Sequence, residues 1–272
     1  MPELPEVETL VFQLNQALAG ATISRIEIRN GSILQTPREE LETRTQRKKI
    51  VQIKRRGKYL QFNLSGKLTL WFHLGMTGQL LFETPPPSLR PHTHFMISFV
   101  HSEKRLFYRD VRRFGRIALT EAGERLLPPG VRRLGLEPKE WNVEKFIDRF
   151  KSRRARIKNL LLNQTLVAGL GNIYADESLY RAGIHPLRQA SSVGRGRLGR
   201  LREAMCEVLE EAIRWGGSSI DDYFHLNGEK GRFQYFHRVY GRAGEACGAC
   251  GARIRKIKIS GRTSSFCPHC QR

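Results

Sequence analysis

The chain has 272 residues, of which 40% are hydrophobic and 27% are charged. This length predicts one large domain or two modest ones, and the hydrophobic fraction excludes a globally disordered chain. Lysine and arginine number 47 against 26 for aspartate and glutamate, a net charge of +21. Such an excess attracts polyanions, so nucleic acid is the leading expected partner, ahead of a membrane surface and a small acidic substrate.

The sequence has no recognisable targeting segment. Its first eight residues are acidic and contain two prolines, the opposite of a secretory leader. The longest strongly apolar stretch, residues 68–76, contains a histidine and is far shorter than the roughly 20 residues that a membrane span needs. We therefore expect an intracellular, cytoplasmic protein with no membrane partner.

The first 20 residues have the pattern of a helix. Apolar residues recur at helical spacing from Val7 to Leu18, Pro5 suits a first helical turn, and Gly20 suits the end of the helix. The extreme N-terminus is therefore expected to lie just outside the start of this helix.

Residues 23–119 have the pattern of short strands. Apolar and polar residues alternate in stretches such as 60–64 and 95–99, and the Asn-Gly pair at 30–31 indicates a turn. The run Thr-Pro-Pro-Pro-Ser at 84–88 fits a loop and no strand interior. Many short strands at this spacing predict a β-sandwich or a barrel.

The pattern becomes helical after a Leu-Pro-Pro-Gly boundary at residues 127–130. Three apolar stripes at helical spacing follow, in residues 143–150, 157–161 and 198–213, and a Gly-Gly-Ser-Ser run at 216–219 ends the third. We interpret these stripes as core. The layout is a β-rich half, a helical half and a Cys-rich module at the end.

The Cys-rich module has the spacing of a zinc site. Two Cys-x2-Cys pairs are separated by 16 residues and consist of Cys247, Cys250, Cys267 and Cys270. Four thiolates suit tetrahedral zinc, and a site closed by four protein ligands is structural. Two disulfides are the alternative, and His269 is a possible substitute ligand. The fifth cysteine, Cys206, lies in an apolar stripe and is interpreted as a core residue.

The segment between the two cysteine pairs predicts a β-hairpin. Residues 253–259 alternate between basic and apolar, and Gly261 offers a turn. Arg262 would then lie at a basic tip braced by the metal. A phosphate contact is the favoured interpretation of Arg262, and a solvated surface arginine is the alternative.

The N-terminal residues offer amine chemistry. Removal of Met1 would leave Pro2 with a free secondary amine, and amines attack carbonyl-like carbon to form Schiff bases. Glu3 could then act as a general acid or base. On these residues alone, an ordinary lead-in to a helix is the favoured alternative.

The chain resembles the bacterial formamidopyrimidine-DNA glycosylases in motifs that run from Pro2 to Cys270 in order. The four cysteines close the series, and the motifs before them are MPELPEVET at 1–9, RGKYL at 56–60, HLGMTG at 73–78, DVRRFG at 110–115, GLGNIYADE at 169–177 and VYGR at 239–242. With this resemblance, the favoured interpretation of Pro2 and Glu3 changes from a lead-in to a helix to catalytic residues.

The resemblance implies an α+β fold. It implies an N-terminal catalytic β-sandwich flanked by helices at 1–133 and a helical DNA-binding domain with a helix–two-turns–helix element at 134–236. A zinc-finger hairpin at 237–272 would hold one structural Zn²⁺. A monomer would bind double-stranded DNA with oxidised purines in the cleft between the domains, in the bacterial cytoplasm and at the nucleoid.

The resemblance also implies a base-excision repair enzyme with glycosylase and abasic-site lyase activities. Its substrates would be 8-oxoguanine and formamidopyrimidines. Pro2 would attack C1′ of the damaged nucleotide, and Glu3 would protonate the sugar ring oxygen. Lys58 would serve the β-elimination and bind phosphate, whereas Arg262 would serve the second, δ-elimination. Without the resemblance, Lys58 would be interpreted as a solvated lysine.

Eight further residues match DNA contacts in this family: His73, Met76, His92, Arg112, Phe114, Arg153, Lys158 and Asn172. Met76, Arg112 and Phe114 match the residues that fill the hole left by an everted base. From the pattern alone, Met76 and Phe114 would be core residues. Asn172 would be a helix cap, and His92 an exposed loop histidine.

Some positions depart from the family's pattern. Val111 stands where a proline is common, and Thr263-Ser264 follows Arg262 where a small residue and then threonine are usual. The residue-level contacts of the loop at 218–234, which should cap the damaged base, stay open. The alternatives are an endonuclease VIII-like enzyme for oxidised pyrimidines, which tends to carry glycine at the position of Leu4, and a zinc-finger DNA-binding protein without chemistry.

Overall fold

The computed structural model describes residues 1–121, 127–220 and 223–272. Two compact units make up the chain, one from residues 1–132 and 215–232 and the other from residues 133–214 and 233–272. Residues 221 and 222 of the expected capping loop lie outside the described residues. Among the helices of the described chain, none is long and apolar enough to cross a membrane. The three-domain division expected from the sequence stays a prediction.

The first unit is built on strands, with helices beside them. Its elements in chain order are α1 (Leu4–Leu18), β1 (Ile23–Ile28), α2 (Arg38–Thr45), β2 (Ile50–Arg56), β3 (Tyr59–Leu64), β4 (Leu68–His73), β5 (Gly78–Glu83), β6 (Thr93–Phe99), β7 (Arg105–Asp110), β8 (Arg116–Glu121) and α3 (Pro129–Arg132).

The eight strands form two antiparallel four-stranded sheets, in the orders β2-β3-β4-β8 and β1-β6-β7-β5. One apolar core contains side chains from both sheets and from α1. Phe72 of β4 contacts Phe95 of β6 edge to face, with ring centroids 5.7 Å apart. The predicted strand-rich half is confirmed. Because the strands form two packed sheets, the fold is a sandwich and not a barrel.

Helix α1 begins and lies where its sequence predicts. Glu3 and Glu6 form a capping box at its start, in which each side chain accepts the other residue's backbone N–H. The side chain of Asn15 donates to the carbonyl of Ile53 and accepts its N–H, at 2.7 and 2.9 Å. These bonds fasten the helix to β2, so its first turn is held at a defined place on the sandwich.

The second unit is helical up to its last residues. Its elements are α4 (Val143–Lys151), α5 (Ile157–Leu162), α6 (Asn172–Arg181), α7 (Arg195–Arg214), β9 (Arg255–Ile259) and β10 (Arg262–Phe266). The three predicted apolar stripes fall in α4, α5 and α7, and Cys206 is buried in α7.

Two turns at residues 163–171 join α5 to α6. The amide of Gln164 holds them, because it donates to the carbonyl of Leu170 at 2.7 Å and accepts the N–H of Gly169 at 3.1 Å. Gly169 has φ +92°, a left-handed conformation that favours glycine. This is the helix–two-turns–helix element that the family resemblance implies.

Strands β9 and β10 form the predicted hairpin. Ile259 pairs with Arg262, so Ser260 and Gly261 alone make the turn, with φ +48° and +78°. Positive φ at both central residues is typical of the tight turn that suits the twist of a hairpin. Arg262 is exposed directly beside this tip, as predicted.

Candidate active site and DNA-binding residues

Most of the predicted site residues of the first unit lie at one end of the sandwich, which we call the loop end. The β2–β3 turn at residues 57–58, the β4–β5 crossover at 74–77 and the β7–β8 crossover at 111–115 all lie there. The strand pairing requires this arrangement, because Tyr59 pairs with His73 and His73 pairs with Arg116. Chain segments far apart in sequence are thereby brought together.

The start of α1 also lies at the loop end. Glu8 accepts a hydrogen bond from Arg55 Nε, and Arg55 Nη1 donates to the carbonyl of Gly57, which precedes Lys58. This chain of contacts joins the first turn of α1 to the β2–β3 turn. Pro2 and Glu3 are both buried, with Glu3 only 3% exposed.

Lys58 is 6% exposed, which excludes the solvated-lysine alternative. The charge of Lys58 also affects His73. The pKa of His73 is lowered to about 4, first because its ring is buried and then because the positive charges of Lys58 and Arg116 oppose its protonation. His73 is therefore neutral at pH 7. Its Nδ1 accepts the N–H of Gly75 at 3.3 Å, which leaves the Nε2 proton as a hydrogen-bond donor. A DNA contact of His73 would be a neutral hydrogen bond.

Met76, Arg112 and Phe114 are exposed on the two crossovers of the loop end. Met76 is 40% and Phe114 50% exposed, so neither is a core residue. The guanidinium of Arg112 lies over the ring of Phe114, 4.6 Å from its centroid. An apolar pair with one cation beside it is the composition that insertion into a base stack needs. We call Met76, Arg112 and Phe114 the insertion residues.

His92 lies at the loop end as well, just before β6. It is exposed, its φ is +64°, and its carbonyl accepts the N–H of Asp110 at 3.0 Å. The predicted DNA contact of His92 is compatible with this exposed position.

In the second unit, Asn172 and the hairpin tip are in direct contact. Asn172 is the first residue of α6, after the N-cap Gly171, so it is not the cap that the local pattern suggested. Its Nδ2 donates to the carbonyl of Thr263 at 2.9 Å, next to Arg262. Among the described residues its buried Oδ1 has no hydrogen-bond partner. Backbone N–H groups at a helix start favour an anion here.

Lys158 has a partner within the protein, and its predicted DNA contact stays a prediction. Its side chain has no exposed surface, and its Nζ lies 2.6 Å from Asp176 Oδ1. In this position the ammonium neutralises the protein's own carboxylate. Arg153, in contrast, is half-buried, with Nη1 3.1 Å from the carbonyl of Arg149, and it keeps guanidinium surface for a phosphate.

The four predicted zinc ligands are brought together by the folded second unit. All four Sγ atoms lie within 4.8 Å of one another. The pair Cys247–Cys270 is separated by 3.9 Å and the pair Cys250–Cys267 by 3.5 Å. Zinc–sulfur bonds of ~2.3 Å in a tetrahedron place sulfurs about 3.8 Å apart. The site therefore fits one four-thiolate zinc and excludes two disulfides, because S–S bonds are ~2.05 Å long.

Four buried carboxylates of the described chain have no role predicted from the sequence: Glu6, Asp110, Asp176 and Glu177. Glu6 accepts the backbone N–H groups of Glu3 and Ser218 at 2.7 and 2.8 Å. Asp110 lies between the two crossovers, and Asp176 holds Lys158. The capping-box spacing from Glu3 to Glu6 was a usable signal. Asp110 and Asp176 sit in quoted motifs, but no local pattern indicates their burial.

Comparisons with known proteins agree with this geometry. Residues 1–117 match the formamidopyrimidine-DNA glycosylase N-terminal domain, and residues 134–223 match the H2TH domain of the same enzyme. Residues 244–272 match a zinc finger found in FPG and IleRS.

A formamidopyrimidine-DNA glycosylase of Solibacter usitatus is 46% identical over 100% of both chains. The crystal structure of a Lactococcus lactis FPG mutant in complex with Fapy-dG-containing DNA matches with TM-score 0.93 and 38% identity, over 100% of both chains. The Lactococcus lactis Fpg in complex with abasic-site DNA matches with TM-score 0.92 and 38% identity, over 99% of both. With all three domain types matched in order and a relative this similar over the full length, the chain belongs to the formamidopyrimidine-DNA glycosylase family.

Proposed function

We propose that this chain is a bifunctional DNA glycosylase and abasic-site lyase that repairs double-stranded DNA with oxidised purines. Its substrates are 8-oxoguanine and formamidopyrimidines. One observation carries the proposal: the buried Pro2, Glu3 and Lys58 share the loop end of the sandwich with the exposed insertion residues. Chemistry and base eversion need to occur at one place, and this end offers groups for both.

The reaction begins at Pro2. With Met1 in place its nitrogen belongs to a tertiary amide and has no nucleophilic lone pair, whereas removal of Met1 gives a secondary amine. The amine attacks C1′ of the damaged nucleotide, a nitrogen–carbon bond forms, and the glycosidic bond to the base breaks. Glu3 donates a proton to the sugar ring oxygen, so that the ring opens and an iminium remains at C1′.

The iminium then drives strand cleavage. It acidifies C2′, and loss of that proton expels the 3′ phosphate in the β-elimination, which Lys58 serves. A second elimination expels the 5′ phosphate, and Arg262 serves this step from the hairpin tip. The low exposure of Lys58 supports its role, because a buried side chain is held in place at the end of the sandwich where Pro2 lies.

The remaining site residues bind the DNA. Asn172, with the start of α6 behind it, contacts phosphates that flank the lesion, and Arg153 neutralises another phosphate. His73 and His92 contact the DNA at the loop end. The insertion residues fill the space of the everted base, where Arg112 offers hydrogen bonds to the orphan base.

A monomer in the bacterial cytoplasm, bound to the nucleoid through DNA, is the working state that we propose. The net charge of +21 supports attraction to DNA. The four cysteines would hold one Zn²⁺, which supplies the fold of the hairpin and takes no part in the reaction.

Borohydride trapping tests the proposed function. A duplex with one 8-oxoguanine is incubated with the protein and borohydride, and the cross-linked residue is mapped by mass spectrometry. We expect a cross-link on Pro2. Trapping only on oxidised pyrimidines would instead indicate an endonuclease VIII-like enzyme. Tight binding of lesion DNA without any cross-link would indicate a DNA-binding protein without chemistry.

A further inference from the structure

The two crossovers that carry the insertion residues lie against each other. Each connects one sheet of the sandwich to the other, and the pairs His73–Arg116 and Gly78–Asp110 end the two ladders on either side of them. A Cβ atom on Gly75 would lie 2.6 Å from the backbone of Phe114. The crossovers therefore meet backbone to backbone at Gly75.

A single buried carboxylate joins them. Asp110 has no exposed surface. Its Oδ1 accepts from Thr77 Oγ1 at 2.5 Å, and its Oδ2 accepts from Gly115 N–H at 2.8 Å and from Tyr108 OH at 3.1 Å. Thr77 follows Met76 and Gly115 follows Phe114, so each crossover is fixed directly beside an insertion residue.

Thr77 extends the link to the third insertion residue. Its Oγ1 donates its one proton to Asp110 and accepts the backbone N–H of Arg112 at 3.0 Å. The bond from Arg112 to Thr77 depends on Asp110 Oδ1 being an acceptor. When the Thr77 hydroxyl proton points to Oδ1, a lone pair of the hydroxyl oxygen is free to accept from Arg112. Burial and the charge of Asp110 raise the pKa of Tyr108, so its hydroxyl stays a donor.

We propose that Asp110 is a positioning residue that holds Met76, Arg112 and Phe114 in one arrangement, so that they enter the base stack together. The inference rests on the proposed function, since insertion is needed only if a base is everted. A carboxylate suits the task because it only accepts, and every group around its two oxygens is a donor. An amide in its place would present a donor to Gly115 or to Thr77.

The test compares two threonines with similar structural roles. Thr77 and Thr36 are each 9% exposed, and each bridges two chain segments of the sandwich by donating one hydrogen bond and accepting another. Thr36 bonds to Leu119, away from the crossovers. Thr77→Val and Thr36→Val therefore remove comparable buried bonds, but only the first loosens the insertion residues. Asp110→Asn and Thr77→Ser complete the set.

Two substrates separate positioning from chemistry. Single-turnover excision of 8-oxoguanine is measured in duplexes with cytosine or adenine opposite the lesion. Borohydride trapping is measured on a single-stranded abasic oligonucleotide, which has no orphan base and no stack to enter. We expect Asp110→Asn and Thr77→Val to slow duplex excision by about tenfold or more. The excision rates opposite cytosine and opposite adenine should also become more similar to each other. Trapping on the single strand should stay within about twofold, and Thr77→Ser should restore duplex excision.

Equal loss of duplex excision in Thr77→Val and Thr36→Val would overturn the inference, since the effect would then follow general stability. So would equal losses on duplex and single strand, because these indicate damage to the chemistry. If the parent protein neither excises 8-oxoguanine from the duplex nor forms a trapped complex on the single strand, the proposed function is wrong and the inference has no basis. That outcome is visible in the parent and is distinct from a failure seen only in the variants.

Discussion

Lys158 Nζ lies 2.6 Å from Asp176 Oδ1, and neither side chain has any exposed surface. Asp176 also accepts hydrogen bonds from Ser264 Oγ at 2.6 Å and from the backbone N–H of Ser265 at 2.9 Å. Burial raises the pKa of Asp176, whereas Lys158 and these hydrogen bonds oppose the rise. The pair thus ties α5 and α6 to β10, the strand that begins at Arg262.

Neutralising this lysine should therefore affect folding and leave long-range electrostatics intact. Lys158→Met leaves a buried carboxylate without its cation, which costs ~3–5 kcal/mol of unfolding free energy. The slope of log affinity against log salt for duplex DNA should not change. Denaturant unfolding and binding at several salt concentrations measure the two quantities.

Arg153→Gln is the comparison for that prediction. Its guanidinium keeps exposed surface, so the salt slope should fall by about one while the unfolding free energy changes little. A slope that falls by one in Lys158→Met would mean that the ammonium reaches a phosphate and that the buried pair opens on binding.

An extension before Pro2 should abolish the chemistry and spare DNA binding. The amide formed at the Pro2 nitrogen removes the nucleophile, because an amide nitrogen has no available lone pair. Strand cleavage at an abasic site and affinity for an abasic-site analogue are the measurements. An extension after Arg272 is the control, and full lyase activity with Met1 retained contradicts the role of Pro2.

The sequence predicts the architecture well because its patterns are local. The period-2 stretches at 60–64 and 95–99 lie in β3 and β6, the apolar stripes become helices, and the paired cysteines converge on one point. The strand pattern alone does not separate sandwich from barrel, since the choice depends on strand pairing between distant segments, and only the family resemblance implied the sandwich. The pairing of β4 with β8 is an example of such long-range order.

For the site residues, local sequence patterns predict some positions correctly and others incorrectly. Periodicity alone would put Met76 and Phe114 in the core, yet both are exposed because they sit on crossovers, where strand alternation ends. Lys158 lies in a basic run and is nevertheless buried, because Asp176 on another helix compensates its charge. Asp110 gives no local signal either, since one of its hydrogen-bond partners, Thr77, comes from the other crossover.

The low pKa of His73 predicts a pH dependence of stability. Its folded-state pKa of about 4 lies below the ordinary 6.5, so unfolding takes up a proton between these values. The unfolding free energy should therefore fall as the pH falls from 6.5 to 4. His73→Gln should reduce this slope by up to about 1.4 kcal/mol per pH unit. Denaturant unfolding at several pH values measures it.

His237 allows an independent check in the second unit, because burial lowers its pKa to about 4 as well. The double variant with His237→Gln should lose about twice the slope lost by His73→Gln alone. Stability curves that run parallel for parent and variants would show that neither histidine is held neutral by the fold.

Removing one zinc ligand should unfold the hairpin and leave the sandwich intact. Metal binding by four thiolates contributes ~10–16 kcal/mol to the folding of small zinc modules, as much as a whole domain's ~5–15 kcal/mol. The cluster of Val239, Ile254 and the buried cysteines is too small to replace it. In Cys270→Ser we expect loss of zinc, protease sensitivity at residues 253–266 and weaker binding of an abasic-site analogue.

Two variants separate the metal from the residues that it supports. Cys206→Ser changes a buried cysteine of α7 that is not part of the four-thiolate cluster, so zinc content should stay at one per chain. Arg262→Gln should keep zinc and the hairpin while slowing the second elimination, because Arg262 is exposed beside the turn. Among the described residues, the sandwich core is made of side chains of the first unit, so its thermal transition should be unchanged in Cys270→Ser. If Cys270→Ser binds the abasic-site analogue as tightly as the parent, the hairpin makes no contribution to DNA binding and the role proposed for Arg262 is wrong.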